Sequence, residues 1–244
     1  MDNELTRITD AELDRQWRSM NAALERLGNI EGREIETRGA ARLIVGVDLT
    51  ASREWCLREA QRAMAGMFDA LAALGSIAVK LAYFRGEDCK AGPWQNDAGA
   101  VCRSMLSLSC RSGATQIGRI LRLAGNEPGP VSAVVYIGDT AEEDADELAA
   151  LARRLGKKHI PVFVFHECGR HGEWSAQEIF EAIAEQSGGA YCPFGAESAD
   201  ALRELVSTVA AFSAAGTEGV RRIGQAVTVE GQQLRARFLL PAGK

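Results

Sequence analysis

An aspartate and two hydroxyls alternate along the chain at Asp48, Thr50 and Ser52. A threonine, Thr115, stands in a later glycine-bearing loop, and a second aspartate, Asp139, closes another apolar run. All five side chains offer oxygen. Oxygen donors suit a hard cation such as Mg²⁺, Mn²⁺ or Ca²⁺. Alternate residues in the loop leaving a strand can aim their side chains at one point, which the D-x-T-x-S spacing allows. A competing reading needs no metal: Ser52 and Thr140 cap helices, and Asp48 and Asp139 satisfy backbone amides, as residues at strand-to-helix junctions commonly do.

Chemistry at these residues depends on the elements that carry them. Residues 42–48 form a short apolar, β-branched run, too short for a typical helix, which reads as a buried strand ending on Asp48. Arg53-Glu54-Trp55 opens a helical pattern over residues 54–74, with Leu57, Met64, Met67, Phe68, Leu71 and Leu74 inward and Gly75 as its stop. Residues 77–84 read as a second strand, and Gly86-Glu87 turns the chain into a short edge strand over residues 88–91. Gly92-Pro93 prevents that edge from extending. Helices are expected over residues 96–107 and 117–123, and a central strand over 131–138 that again ends on an aspartate. A capping box from Thr140 to Glu143 opens a further helix reaching Leu155. Strands over 160–165 and 189–192 and helices over 175–186 and 198–211 complete the alternation.

Alternating strands and helices predict an α/β fold, doubly wound, with a mostly parallel sheet covered by helices on both faces. In open sheets of this kind ligands bind at the carboxyl ends of the strands. Asp48 and Asp139 are both placed there.

The remaining segments flank this unit. Thr9 and Glu12 form a capping box ahead of Leu13, Trp17, Met20, Leu24 and Leu27, an apolar stripe at helical spacing. The stripe either packs on the main domain or docks a partner. Residues 28–39 are polar and glycine-bearing and read as a linker. The division is an N-terminal amphipathic helix and linker over 1–39, the α/β domain over 40–214, and a C-terminal extension over 215–244.

The chain of 244 residues carries a formal net charge of -5 and no Lys/Arg block, which argues against a nucleic-acid partner. No apolar run approaches the ~20 residues of a membrane-spanning helix, so no membrane partner is expected. The acidic, polar N-terminus is unlike a targeting segment. The six cysteines are scattered without a CxxC pair, which reads as reduced thiols in a cytoplasmic protein.

Together, Asp48-x-Thr50-x-Ser52, Thr115 and Asp139 resemble, over residues 42–213, the von Willebrand factor type A (VWA) domain family in its bacterial, cytoplasmic form. That family carries a metal-ion-dependent adhesion site built from D-x-S-x-S, a loop threonine and a later aspartate. The resemblance implies a VWA or Rossmann-like sheet with one short antiparallel edge strand. It implies that Thr50, Ser52 and Thr115 supply hydroxyl oxygens to Mg²⁺ (or Mn²⁺ or Ca²⁺), with Asp48 and Asp139 acting largely through water. It also implies that a partner protein completes the shell with an Asp or Glu, so the chain is read as an interaction module and not an enzyme. Thr50 stands where the family has serine, and Gly138-Asp139-Thr140 where it has threonine-aspartate-glycine.

Other chemistries fit less well. His166-x-Cys168-x2-His171, with Cys192 as a fourth ligand, matches no common zinc module. A phosphatase of the haloacid dehalogenase type needs a second acid where Thr50 stands, which sets a metal-dependent phosphoesterase behind a metal-free scaffold of the same fold. No phosphate-binding G-x4-G-K-[ST] loop and no G-x-G-x-x-G occurs. Glu142, Glu143 and Asp144 read as favourable charge at a helix N-terminus.

Overall fold

The computed structural model describes residues 41–51, 77–167 and 176–194, with Glu204, Ser207, Thr208, Ala211, Glu218 and Arg221. The expected N-terminal helix, the linker, the helix over 54–74 and most of the C-terminal extension lie outside the described residues.

Strand β1 (Ala41–Asp48) holds the centre of the sheet. Leu43, Ile44, Val45 and Val47 are each at most 2% exposed, so both faces of β1 are covered. A strand covered on both faces needs apolar side chains at successive positions, which is the pattern of residues 43–47. Each such side chain contributes roughly 1.5–3 kcal/mol on burial. Strand β2 (Ile77–Arg85) runs parallel to β1, and β3 (Asp88–Ala91) returns antiparallel on its outer side. The chain then forms α1 (Ala98–Leu106) and α2 (Ile117–Asn126) before β4 (Ala133–Gly138). Helix α3 (Ala145–Lys157), β5 (Val162–Glu167), α4 (Gln177–Ser187) and β6 (Tyr191–Phe194) follow.

The sheet order is β3-β2-β1-β4-β5-β6, parallel except for β3. This is the mostly parallel sheet with a short antiparallel edge that the sequence predicts. The chain winds from β1 toward one edge and from β4 toward the other, so the winding reverses between β1 and β4. Val47 pairs with Ile137 across that reversal. Asp48 and Asp139 therefore leave neighbouring strands almost side by side at their carboxyl ends, where a crevice opens in such sheets.

Helical periodicity matches what is buried. Ile117, Ile120, Leu121 and Ala124 of α2, Leu148, Leu151, Ala152 and Leu155 of α3, and Phe180, Ile183 and Ala184 of α4 face the core. Tyr136 of β4 sits among them, stacked on Phe84 at 6.5 Å and tilted against Phe180 at 5.8 Å. At the opposite end of the sheet, the Glu127 side chain is 5% exposed and pairs with Arg42 at 3.2 Å and with Lys80. It also accepts from Trp94 Nε1 at 2.8 Å, and the Arg42 guanidinium lies 4.1 Å from the Trp94 ring centre.

Boundaries shift by a few residues: β5 and β6 each lie two residues later than expected, β4 starts two later and α2 ends three later, and the start of α3 departs most. Thr140 and Glu143 do not open α3. Asp144 is its cap, with Oδ1 accepting from the Glu147 amide at 2.8 Å. The physical reason is that the Glu143 carboxylate is engaged by a different helix. No described helix is long and apolar enough to cross a membrane.

Candidate metal centre

Asp48 is fully buried at the end of β1, and Thr50 is 5% exposed. The Thr50 amide donates to Asp48 Oδ1 at 2.7 Å, so the carboxylate folds the chain back on itself as it leaves the strand. This is the turn chemistry typical of aspartate. Leu49 continues the pairing, its amide donating to Phe84 O at 3.0 Å, and its own carbonyl accepts from the Arg111 amide at 3.0 Å. That bond brings the loop before α2 against the Asp48 turn. Ser52 lies outside the described residues.

The same loop carries Thr115, which is 4% exposed. Its anchorage on the other side is the β2–β3 turn. Gln116 Nε2 donates to Gly86 O at 2.8 Å, and Arg85 Nη1 donates to Ser109 O at 3.0 Å. Gly86 has φ +57°, and a Cβ on Gly113 would lie 2.3 Å from Gly86 O. Both positions therefore require glycine: one for a left-handed backbone, the other for close approach.

Thr115 and the loop after β4 hold each other. The Thr115 amide donates to Glu142 Oε2 at 3.0 Å, and the Glu142 amide donates to Thr115 Oγ1 at 2.8 Å. Next to this clamp, Glu143 accepts from the amides of Ile117 at 2.5 Å and Gly118 at 2.9 Å. Gln116 provides no side-chain cap, so Glu143 caps α2 from across the site. Burial pushes the Glu143 carboxyl up; the two amides and Arg122 pull it down, and the net shift is upward. Sequence reasoning placed Glu142 and Glu143 at the start of their own helix. Only the spatial approach of α2 shows what they bind.

Asp139 completes the arrangement. Its Oδ1 is buried and has no hydrogen-bond partner among the described residues. The metal-free reading assigned backbone amides to both aspartates, and it describes Asp48 Oδ1 but not Asp139 Oδ1. The Asp139 carbonyl accepts from His166 Nε2 at 3.0 Å, while His166 Nδ1 pairs with the Tyr191 hydroxyl at 2.8 Å. Both ring nitrogens of His166 are thus engaged, which removes it from the zinc reading. Cys168 and His171 lie outside the described residues, and burial pushes the Cys192 thiol up, disfavouring the thiolate a metal would need. The departure at Gly138 also has a local cause: a Cβ there would lie 2.5 Å from the Tyr136 hydroxyl oxygen.

The structure therefore brings Asp48, Thr50, Thr115 and Asp139 to one end of β1 and β4. Among the described residues no group of three or more His, Cys, Asp or Glu side chains could hold a metal ion. A cation here would depend on the hydroxyls as well as the two carboxylates. That donor set suits a hard ion, and the unsatisfied Asp139 oxygen is an atom such an ion, or its bound water, would meet.

No family model and no curated protein matches the chain. Solved structures do. The chain is similar to an aerotolerance-related membrane protein from Bacteroides fragilis (TM-score 0.55, 19% identity, 68% of this chain and 98% of that one). It is equally similar to BatB from Bacteroides thetaiotaomicron (TM-score 0.55, 20% identity, 70% and 98%). The VWA domain of SpRpn10 matches at TM-score 0.55 and 16% identity, over 68% of this chain and 95% of that one. The fold is VWA-like.

Proposed function

We propose that this chain is a metal-dependent protein-interaction module. It holds Mg²⁺, or Mn²⁺ or Ca²⁺, with the hydroxyls of Thr50, Ser52 and Thr115 and with Asp48 and Asp139, and offers an open coordination position to an Asp or Glu of a partner protein. The observation that carries this reading is Asp139 Oδ1, buried and without a hydrogen-bond partner among the described residues, at the sheet end that also carries a buried aspartate and two buried threonines. Bound metal would supply positive charge that the partner's carboxylate completes. The chain's own residues hold the loops so that the oxygens converge. The test is partner association in Mg²⁺ and in chelator, beside Asp48→Ala. Association that needs both the metal and Asp48 supports the reading. Association indifferent to both contradicts it.

A second reading, a metal-free scaffold in a multiprotein complex, draws support from the hydrogen bonds that close the site internally, Thr50 to Asp48 and Thr115 to Glu142. It predicts that deleting residues 1–28 abolishes association while Asp48→Ala leaves it intact.

A further inference from the structure

We propose that His166 is a positioning residue for the metal loop, holding Asp139 in place through its main chain; this rests on the metal reading above. His166 is fully buried in β5, one strand away from the site. Its Nε2 lies 3.0 Å from the Asp139 carbonyl oxygen. A carbonyl only accepts, so Nε2 carries the hydrogen and donates. Two elements set the ring's rotation. Tyr191 of β6, itself 3% exposed, holds Nδ1 through its hydroxyl at 2.8 Å. Phe180 of α4 packs edge-on at 4.9 Å between ring centres. Orientation passes from β6 and α4 to the imidazole, and from the imidazole to the peptide that directs the Asp139 carboxylate.

A buried histidine commonly does no more than satisfy its own polar atoms. Here it anchors the backbone of the residue whose buried Oδ1 has no hydrogen-bond partner among the described residues. Outer partners that orient metal-binding groups typically account for 10–100-fold in affinity.

The test is calorimetric titration of Mn²⁺ into the full-length protein and its variants. His166→Asn ends short of the Asp139 carbonyl and weakens Mn²⁺ binding about tenfold. His166→Gln returns an amide N–H to the reach of Nε2 and recovers most of that loss. Tyr191→Phe removes one hydroxyl with little risk to folding and gives a smaller loss of the same sign. Leu155→Ala in α3 is the control: it lowers thermal stability and leaves Mn²⁺ affinity unchanged. Wild-type affinity in both His166→Asn and Tyr191→Phe overturns the inference, as does an equal loss in Leu155→Ala. If His166→Asn does not fold, Tyr191→Phe decides alone. Absence of Mn²⁺ uptake by the wild-type protein overturns the metal reading and this inference with it; uptake that the variants share overturns this inference only.

Discussion

A carboxylate oxygen kept out of water without a hydrogen bond costs about 1–3 kcal/mol or more, and Asp139 Oδ1 is in that condition. Asp139→Asn removes the charge but keeps the shape. The variant should melt at or above the wild-type temperature in chelator and, on the metal reading, lack any stabilisation that Mg²⁺ brings to the wild type; thermal melts with and without Mg²⁺ check both. At the far end of the sheet, Glu127 has the opposite status. Burial pushes its carboxyl up, but hydrogen bonds from Lys80 and Trp94 and the charges of Lys80 and Arg42 pull it below the usual carboxylate range. A carboxyl held lower in the folded state stabilises above its ordinary value and loses that contribution as pH falls through its folded value. Glu127→Gln leaves Arg42 and Lys80 facing a neutral group and should cost roughly 3 kcal/mol near neutral pH. Denaturant melts should show the gap to wild type narrowing in acid. A gap that widened in acid would contradict the assignment.

Between residue and fold stand the two loops that carry Thr115 and Asp139. Gly113 lies against the backbone of Gly86, and backbone cannot give way as a side chain can. Gly113→Ala should therefore shift the Thr115 loop, cost about 1–3 kcal/mol and, on the metal reading, weaken Mn²⁺ binding, read by thermal melts and Mn²⁺ titration. Both Glu143 oxygens accept from first-turn amides of α2, so Glu143→Gln keeps one acceptor and turns an NH2 toward the other amide. The lost hydrogen bond should cost about 1 kcal/mol, read by thermal melts. The elements themselves were legible in the sequence because their signals are local: the apolar runs of β1 and β4 and the Gly86-Glu87 turn. The start of α3 was misread for the same reason. Thr140 and Glu143 have capping-box spacing, yet Glu143 serves α2, and no local pattern reveals a cap supplied from another segment.

Across the whole molecule, the reversal of winding between β1 and β4 collects residues far apart in the chain. The positions of Asp48 and Asp139 at strand ends were legible because each closes an apolar run, and strand ends are visible in hydropathy. Thr115 stood out as a hydroxyl in a glycine-bearing loop, and only the resemblance to a known motif groups it with the two aspartates. Glu142 and His166 were not legible as parts of the site. Their partners are set by sheet order and by the approach of α2, which emerge only once β5 is known to lie beside β4. A cation bound only by the folded chain must also stabilise the fold, by about 2.7 kcal/mol at a hundred times its dissociation constant. The most direct test of the central claim is calorimetric titration of Mg²⁺ and Mn²⁺ into chelator-treated protein, beside Asp48→Ala. Saturable binding that Asp48→Ala abolishes is the predicted result. Binding of equal strength in both proteins, or in neither, would contradict it.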